Sequence, residues 1–153
     1  MPKDQIIETE QTRSSETETV SIFSKEILRD IVLPDLLGKE HSEILYWAGK
    51  QLARKFPLSN MEETIEFFTN AGWGTLEELK SSKHEAEYIL HGSFVARRFA
   101  LNEDCEFQLE AGFLAQQLAI QNKRITEAAT EQKRKANRVK FLVRWDTKDS
   151  IEE

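Results

Sequence analysis

Few side chains of this 153-residue sequence have types and positions that could do chemistry. Cys105 is the single cysteine, which excludes an internal disulfide and any site built from several cysteines. A thiol at the start of a helix has a lowered pKa, but the carboxylates of Asp104 and Glu106 on either side oppose that effect. We therefore interpret Cys105 as a small buried hydrophobic residue rather than a reactive thiol.

Acid, base and metal chemistry have equally little support. His84 and His91 have no second histidine, cysteine or aspartate at ligand spacing, so we expect no metal site and no cofactor. Glu110, beside a long apolar run, could be an acid with a perturbed pKa or could bind the polar head of a ligand. Its simpler interpretation is a first-turn glutamate that interacts favourably with the helix dipole. The sequence contains no nucleophile elbow and no glycine-rich phosphate loop, so catalysis is not expected.

The basic residues form one cluster near the end of the sequence, which consists of Lys133, Arg134, Lys135, Arg138 and Lys140. We interpret this cluster as the solvated tip of a hairpin rather than as an anion site. The formal net charge of −6 repels a polyanion, so no nucleic-acid partner is expected.

Trp47 is an aromatic residue that the periodicity of its helix leaves unexplained. It lies off the apolar stripe, beside Tyr46 and within two turns of Lys50 and Arg54. Two alternatives remain open: tertiary packing half-buries Trp47, or Trp47 forms part of a protein interface.

These residues must be positioned by helices and strands, and the clearest element is the uncharged run 111–122 in a chain that is 31% charged. We expect a helix that is capped by Asp104 and is apolar on nearly every side, which is typical of a buried helix. Gly112 predicts a close crossing with a neighbouring element. The only solvent-exposed edge is expected at the glutamines Gln116, Gln117 and Gln121.

Three shorter helices are predicted before this run. The first is expected to stop at Pro34. Its apolar residues at helical spacing are Val20, Phe23, Ile27 and Ile31. The third begins with a capping box of Ser59 and Glu62 and ends at Gly72 in a left-handed conformation. One side of this helix is predicted to carry Met61, Ile65 and Phe68.

The second of these helices is predicted to end at Pro57 and to pack closely against another element. Its single apolar stripe consists of Leu45, Ala48, Gly49, Leu52, Ala53 and Phe56. Gly49 and Ala53, one turn apart, would let a neighbouring helix or sheet approach, and a glycine inside a helix usually has such a packing reason.

The remaining segments favour strands. Residues 75–90 are predicted as two short strands, although a charged helix is the alternative, and the extended backbone is expected to continue through 94–101. Residues 139–145 alternate apolar and polar side chains, which is typical of a strand with one buried face. Residues 124–131 are expected to form the other arm of a hairpin across the turn 132–137, although their alanines would tolerate a helix.

The order of elements predicts an α+β fold with N-terminal helices, an antiparallel sheet of four to five strands, and one long buried helix before a C-terminal β-hairpin. We expect a disordered tail at 1–19, a single domain at 20–149 and a disordered end at 150–153. No apolar run approaches the roughly 20 residues needed to cross a bilayer, and the first residues lack the apolar centre of a signal peptide. We therefore expect a soluble, cytoplasmic protein.

Four stretches together resemble a known superfamily: "YWAGKQLA", "AGWGTLE", "CEFQLEAGFLAQQL" and "VKFLVRWD". It comprises ligand-binding domains of nitric-oxide signalling and Golgi transport, including small subunits of the TRAPP tethering complex and the bacterial four-vinyl-reductase domain. Within it, the sequence is similar to the small uncharacterised proteins of Gram-positive bacteria called the YslB type. The likeness covers roughly Phe23 to Asp149.

This resemblance implies a fold and a homodimer, but no activity. The vinyl-reductase domains typically have further cysteines in their final hairpin, whereas the matching region 126–142 has none. The haem-binding branch uses an axial histidine on a helix, and neither His41, His84 nor His91 stands in a matching context.

Taken together, these observations favour a non-enzymatic binding or adaptor domain that forms a homodimer and holds a small apolar ligand among its helices. The candidate pocket or interface residues are Tyr46, Trp47, Gly49, Trp73, Glu110, Gly112 and Phe113. The alternative is an enzyme with a pocket around Glu110 and Tyr46, or a haem or lipid sensor like the distant relatives.

Overall fold

The computed structural model describes residues 18–147 in full and the backbone of 148–150. Residues 1–17 of the predicted tail and 151–153 of the predicted end lie outside the described part of the chain. The elements follow in this order: α1 Ile22–Glu26, a π-helical stretch Ile27–Val32, α2 Leu33–Leu37, a 3-10 turn Gly38–Glu40, α3 His41–Lys55, α4 Met61–Asn70, β1 Thr75–Ser81, β2 Glu85–His91, α5 Ser93–Leu101, α6 Gln108–Asn122, β3 Arg124–Lys133, a 3-10 turn Arg134–Ala136, and β4 Arg138–Ser150.

The first helix does not stop at Pro34, so that prediction was wrong. α1, the π-helical stretch and α2 run without a break from residue 22 to residue 37, and we call them together the N-terminal helix. Pro34 lies in the first turn of α2, directly after the wider π-helical turns. A proline inside a helix has no N–H to donate, and its ring crowds the carbonyl four residues earlier, so it is tolerated here where the π-helical turns change the regular hydrogen-bond pattern. Gly38, at φ 74°, ends the helix instead.

Two helix starts lie later than predicted. The cap of α4 is Asn60 rather than Ser59, because Asn60 Oδ1 accepts a hydrogen bond from the backbone N–H of Glu63 at 2.9 Å. Asp104 does not cap α6, which begins at Gln108. The predicted ends hold, since α3 stops before Pro57 and α4 stops before Gly72, which has φ 75°.

Residues 94–101 are helical, which contradicts the predicted extended backbone. Gly92, at φ 138°, ends the strand pattern, and α5 begins directly after it. The buried residues of α5 recur with the helical period rather than in alternation: Phe94, Val95, Arg98 and Phe99.

The sheet has four antiparallel strands in the order β1-β2-β4-β3, so the predicted strands at 75–90 and the predicted hairpin of 124–131 with 139–145 are confirmed. Buried side chains of β2 and β4 face each other in register in the pairs Leu90 with Val139, Tyr88 with Phe141, and Ala86 with Val143. These residues form one core with α6, which lies between the sheet and α3. The α+β fold with a long buried helix before a C-terminal hairpin is therefore confirmed.

Gln117 was wrongly expected at a solvent-exposed edge of α6. Its side chain is 0% exposed. The amide oxygen accepts from the backbone N–H of Leu58 at 3.0 Å, and the amide nitrogen donates to the carbonyl of Phe56 at 2.7 Å. Gln117 thus satisfies backbone groups of the loop between α3 and α4, a role that its polarity alone does not reveal.

Candidate functional site

The two predicted glycines lie where α3 and α6 touch through their backbones. A Cβ atom added to Gly49 would overlap the carbonyl oxygen of Leu109, and one added to Gly112 would overlap the carbonyl oxygen of Tyr46. Side chains at these positions have no space, because main-chain atoms cannot rotate away. The crossing is therefore a packing contact between helices, with no room for a ligand between the two glycines.

Trp73 and Phe113 lie in an aromatic cluster of the core. Phe113 stacks on Phe67 with ring centroids 4.4 Å apart, and Trp73 approaches Phe113 edge-on at 5.3 Å. Phe68 contacts both Trp73 and Phe113. Such offset and edge-on pairs stabilise a core beyond the burial of their area. Both candidate residues are thus placed by core packing.

Tyr46 connects α3 to β3 through its hydroxyl group. The hydroxyl donates to Glu127 and accepts from the backbone N–H of Ala128 at 3.0 Å. Lys50 pairs with the same carboxylate at 2.7 Å. Burial and the hydrogen bond to Glu127 raise the pKa of Tyr46, so its hydroxyl stays protonated and acts as a structural donor.

Glu110 is 0% exposed and forms a bidentate ion pair with Arg29 of the N-terminal helix. The two guanidinium nitrogens lie 2.8 Å and 2.9 Å from its carboxylate oxygens. Burial alone would raise the pKa of Glu110, but the charge and hydrogen bonds of Arg29 outweigh it and hold the pKa below its usual value. Glu110 is therefore ionised and neutralised by its partner, and it shares no partner with Tyr46.

A second arginine completes this group of charges. Arg98 is 0% exposed, and its guanidinium pairs with Asp30 at 2.9 Å and with Glu106 at 3.4 Å. We call Arg29, Asp30, Arg98, Glu106 and Glu110 the buried charge cluster. Each of its carboxylates lies within ion-pair distance of an arginine, while Arg29 Nε and one terminal nitrogen of Arg98 have no hydrogen-bond partner among residues 18–147. A cluster whose acids are all paired offers no free base for catalysis.

The N-terminal helix faces the protein with its charged residues and faces outward with its apolar residues. Besides the buried charge cluster, Glu26 pairs with Arg97 at 2.6 Å, and Lys25 donates to the carbonyl of Ala71 at 3.2 Å. The outward side exposes Phe23, Leu28, Ile31 and Leu36, and Val20 just before the helix is also exposed; we call these five residues the apolar surface. The spacing of apolar residues correctly indicated a helix in this segment, although its end was wrong and the residues that produced the spacing are not its buried side.

Trp47 is 61% exposed, so tertiary packing within the chain does not half-bury it. It lies two positions before Gly49, about 200° around the helix, and therefore on the side opposite to the crossing with α6. Ile44, one turn away, is also exposed. Packing within the described residues therefore does not account for Trp47, and its part in an interface stays a prediction.

The other residues singled out by type are buried or form contacts within the fold. Cys105 is buried, and burial raises the pKa of its thiol, which makes it a poor nucleophile. Arg134 of the basic cluster folds back and donates to the carbonyl of Phe99 at 2.9 Å, while Lys140 pairs with Glu87 at 3.1 Å. Within residues 18–147, no three His, Cys, Asp or Glu side chains are grouped so that they could hold a metal ion.

A cleft of about 570 Å³ opens between the sheet, the end of α6 and the start of α4, and we call it the sheet cleft. None of the predicted site residues lines it. Its walls include Met61, Glu78, Tyr88, Leu118, Arg124 and Trp145.

Comparison with known proteins places the chain in a family. Residues 22–144 match the family described as Protein of unknown function (DUF2507). The uncharacterized protein YslB of Bacillus subtilis (strain 168) is 44% identical over 132 residues, which is 86% of this chain and 89% of that protein. The chain belongs to the DUF2507 family. The resemblance to the YslB type is thereby confirmed.

Two solved structures match the chain at low sequence identity. A vinyl-4-reductase family protein of Methanocaldococcus jannaschii matches with a TM-score of 0.68 and 18% identity, over 95% of this chain and 97% of that one. A trafficking protein particle complex subunit 3 from Naegleria fowleri, covalently bound to palmitic acid, matches with a TM-score of 0.46 and 14% identity, over 94% and 95% of the two chains. The first likeness shows the fold alone, and the second is too distant to argue from.

Sequence reasoning missed two of the most distinctive residues of this DUF2507 chain, Arg29 and Arg98. Both are arginines inside segments with apolar periodicity, where an unpaired charge would be costly. The signal that could have found Arg29 is the spacing of Glu26, Arg29 and Asp30, which places three charges on one side of a helix.

None of the helices that the structure describes is long and apolar enough to span a membrane.

Proposed function

We propose that this DUF2507 chain is a non-enzymatic protein-interaction domain that forms a homodimer through its apolar surface. The single observation that supports this proposal is the orientation of the N-terminal helix, which buries charges and exposes Phe23, Leu28 and Ile31. Large apolar side chains on one exposed element form a larger apolar patch than the scattered apolar residues of an ordinary protein surface.

The ion pairs explain how such a surface can persist. Arg29, Glu26 and Asp30 each pair with residues beyond the N-terminal helix, so rotating the helix to bury its apolar side would leave those charges unpaired. Breaking a buried pair by removing one partner costs about 3 to 5 kcal/mol. The helix therefore keeps its apolar side available for a partner.

A second copy of the chain is the partner that this geometry fits best. In a twofold dimer the same surface packs against itself, so an apolar helix meets an equally apolar helix and no complementary charges are needed. We further propose that the domain, residues 20–149, works in the cytoplasm, where the lone thiol of Cys105 would stay reduced.

The alternatives have less support. An enzyme site around Glu110 and Tyr46 would need a free acid or base, whereas Arg29 neutralises Glu110 and Tyr46 is bonded to Glu127. A small apolar ligand among the helices would need space at the crossing of α3 and α6, where the backbones touch. No observation favours a haem or lipid sensor.

Light scattering after size-exclusion chromatography tests the dimer. We expect the wild type to have twice the mass of one chain and Ile31→Asp to be monomeric, because a carboxylate in an apolar interface loses its hydration. Ile125→Asp is the matched control, since the exposed fractions are 52% for Ile31 and 57% for Ile125, which lies on the edge strand β3. We expect this control to remain a dimer.

Two results would contradict the proposal. A monomeric wild type would remove the homodimer. A dimer that survives Ile31→Asp but dissociates with Trp47→Ala would place the interface on α3 and not on the apolar surface.

A further inference from the structure

The sheet cleft is lined by polar and apolar side chains together, with one charged residue of each sign. The lining includes Leu118 of α6 and the aromatic residues Tyr88 and Trp145 from the middle strands β2 and β4. Its volume of about 570 Å³ falls in the range of small-molecule sites, roughly 300 to 1,000 Å³. The cleft is therefore large enough for a compact organic molecule.

Arg124 is the cation at this cleft, and it is partly buried. Within residues 18–147 its guanidinium has no ion-pair or hydrogen-bond partner, in contrast to Arg29 and Arg98. A guanidinium binds a carboxylate in a bidentate fork, which makes it a strong and directional anion ligand.

Glu78 is the anion at the cleft, and the order of the strands separates it from Arg124. Glu78 is on β1 and Arg124 is on β3, the two opposite edges of the sheet. Three strand spacings of nearly 5 Å separate their backbones by about 14 Å. Glu78 also accepts a hydrogen bond from Tyr88 Oη at 3.4 Å, so its carboxylate is directed toward β2. The side of the cleft near β3 is therefore the positive one.

The helix ends at the cleft do not change this polarity. The cleft reaches the first residues of α4 and the last residues of α6. Their partial charges have opposite signs, because the N-terminus of a helix is positive and the C-terminus is negative. The full charge of Arg124 decides which ligand charge is favoured.

We propose that the sheet cleft binds a small organic carboxylate whose compact apolar body packs on Leu118 and Trp145 and whose carboxylate pairs with Arg124. This site is separate from the apolar surface, so it does not depend on the homodimer. The binding is non-covalent and requires no cofactor.

The probe for the test is 3-phenylpropionate, with its neutral amide, 3-phenylpropionamide, as the comparison ligand. The chain contains three tryptophans, and only Trp145 lines the cleft. In two-dimensional proton–nitrogen NMR spectra, the indole signal of Trp145 should shift saturably with the carboxylate, while that of Trp47 stays unchanged. We expect the amide to bind about tenfold more weakly, because it lacks the charge-assisted pair with Arg124.

Arg124→Gln should weaken binding of the carboxylate about tenfold and leave binding of the amide unchanged. Arg138→Gln is the matched control, because Arg138 is exposed, lies on β4 outside the cleft and should have no effect. Equal affinity of the wild type for carboxylate and amide would overturn the proposal without any variant. A shift of the Trp47 signal with none at Trp145 would also overturn it, since the probe would then bind at the surface.

Discussion

Two contacts of α6 lie only two residues apart and depend on opposite physical properties. At Glu110 the helix meets the N-terminal helix through a fully buried ion pair with Arg29. At Gly112 it contacts α3 directly through backbone atoms, with no space for even one methyl group. The first contact depends on complete charge pairing, and the second depends on the absence of a side chain.

This difference explains why the two neighbouring helices have different surfaces. α3 packs on α6 with its small and apolar residues Leu45, Gly49 and Ala53, and it exposes charged residues together with Trp47 and Ile44. The N-terminal helix uses its charged residues for packing, and its apolar residues remain outside. Helices that bind their own protein through charge can therefore present an apolar side to another protein.

The largest expected effect follows from filling the backbone contact. Gly112→Leu should lower the free energy of unfolding by about 4 kcal/mol or more, because the carbonyl of Tyr46 occupies the position of the new Cβ and the helices must separate. Urea denaturation followed by circular dichroism measures the loss. Gln116→Leu is the control on the same helix, where the side chain is only partly buried and the change should be below about 1 kcal/mol. Equal losses in the two variants would show that α3 and α6 can move apart freely.

A somewhat smaller effect is expected at the charged contact. Glu110→Gln should cost about 3 to 5 kcal/mol, because it leaves the guanidinium of Arg29 buried without its main counter-charge. The same denaturation experiment measures it. The control is Glu131→Gln, which removes an exposed pair with Lys133 and should cost less than about 1 kcal/mol.

The double variant Arg29→Met with Glu110→Leu sharpens the comparison. Replacing both partners of a buried pair by apolar residues is often neutral or stabilising, so this protein should be more stable than Glu110→Gln. If the double variant is less stable than the single one, the ion pair stabilises the fold by more than the cost of burying its charges.

The two contacts also differ in how well they can be predicted from the sequence. The sequence predicts close crossings at Gly49 and Gly112, because a glycine within an apolar helical stripe usually marks the close approach of another element. The pairing of Glu110 with Arg29 could not be predicted, because the two residues are 81 positions apart and neither spacing nor composition connects them. The same limit applies to Arg124, whose place in the sheet cleft depends on how β3, α6 and α4 meet.

Local rules failed where tertiary contacts outweighed them. Pro34 was expected to end a helix, but the π-helical turns before it accommodate the ring. Residues 94–101 were expected to be extended, but burial of Phe94, Arg98 and their neighbours on one side required a helix. The overall α+β order was predictable because the helices at 41–55 and 108–122 and the strand at 139–145 have strong periods, whereas 75–90 and 124–131 left a helix as the alternative.

The smallest effect is expected in the pH dependence of stability. Arg29 holds the pKa of Glu110 below its value in the unfolded chain, which is about 4.3. As the pH falls below that value, Glu110 binds a proton in the unfolded chain but stays deprotonated in the folded chain. The free energy of unfolding therefore decreases until the pH has passed the lower pKa of the folded state. Above about pH 5 this contribution is complete and constant.

The Glu110→Gln variant isolates this contribution, because it removes the titrating carboxylate and leaves Asp30 and Glu106 in place. We expect its stability to decline less steeply than that of the wild type when urea unfolding is compared at pH 7, 4 and 3. Gly112→Ala, which disturbs the neighbouring contact without changing any charge, should keep the slope of the wild type. Parallel slopes for Glu110→Gln and the wild type would mean that Glu110 gains no more from Arg29 in the folded state than it gains from water in the unfolded chain.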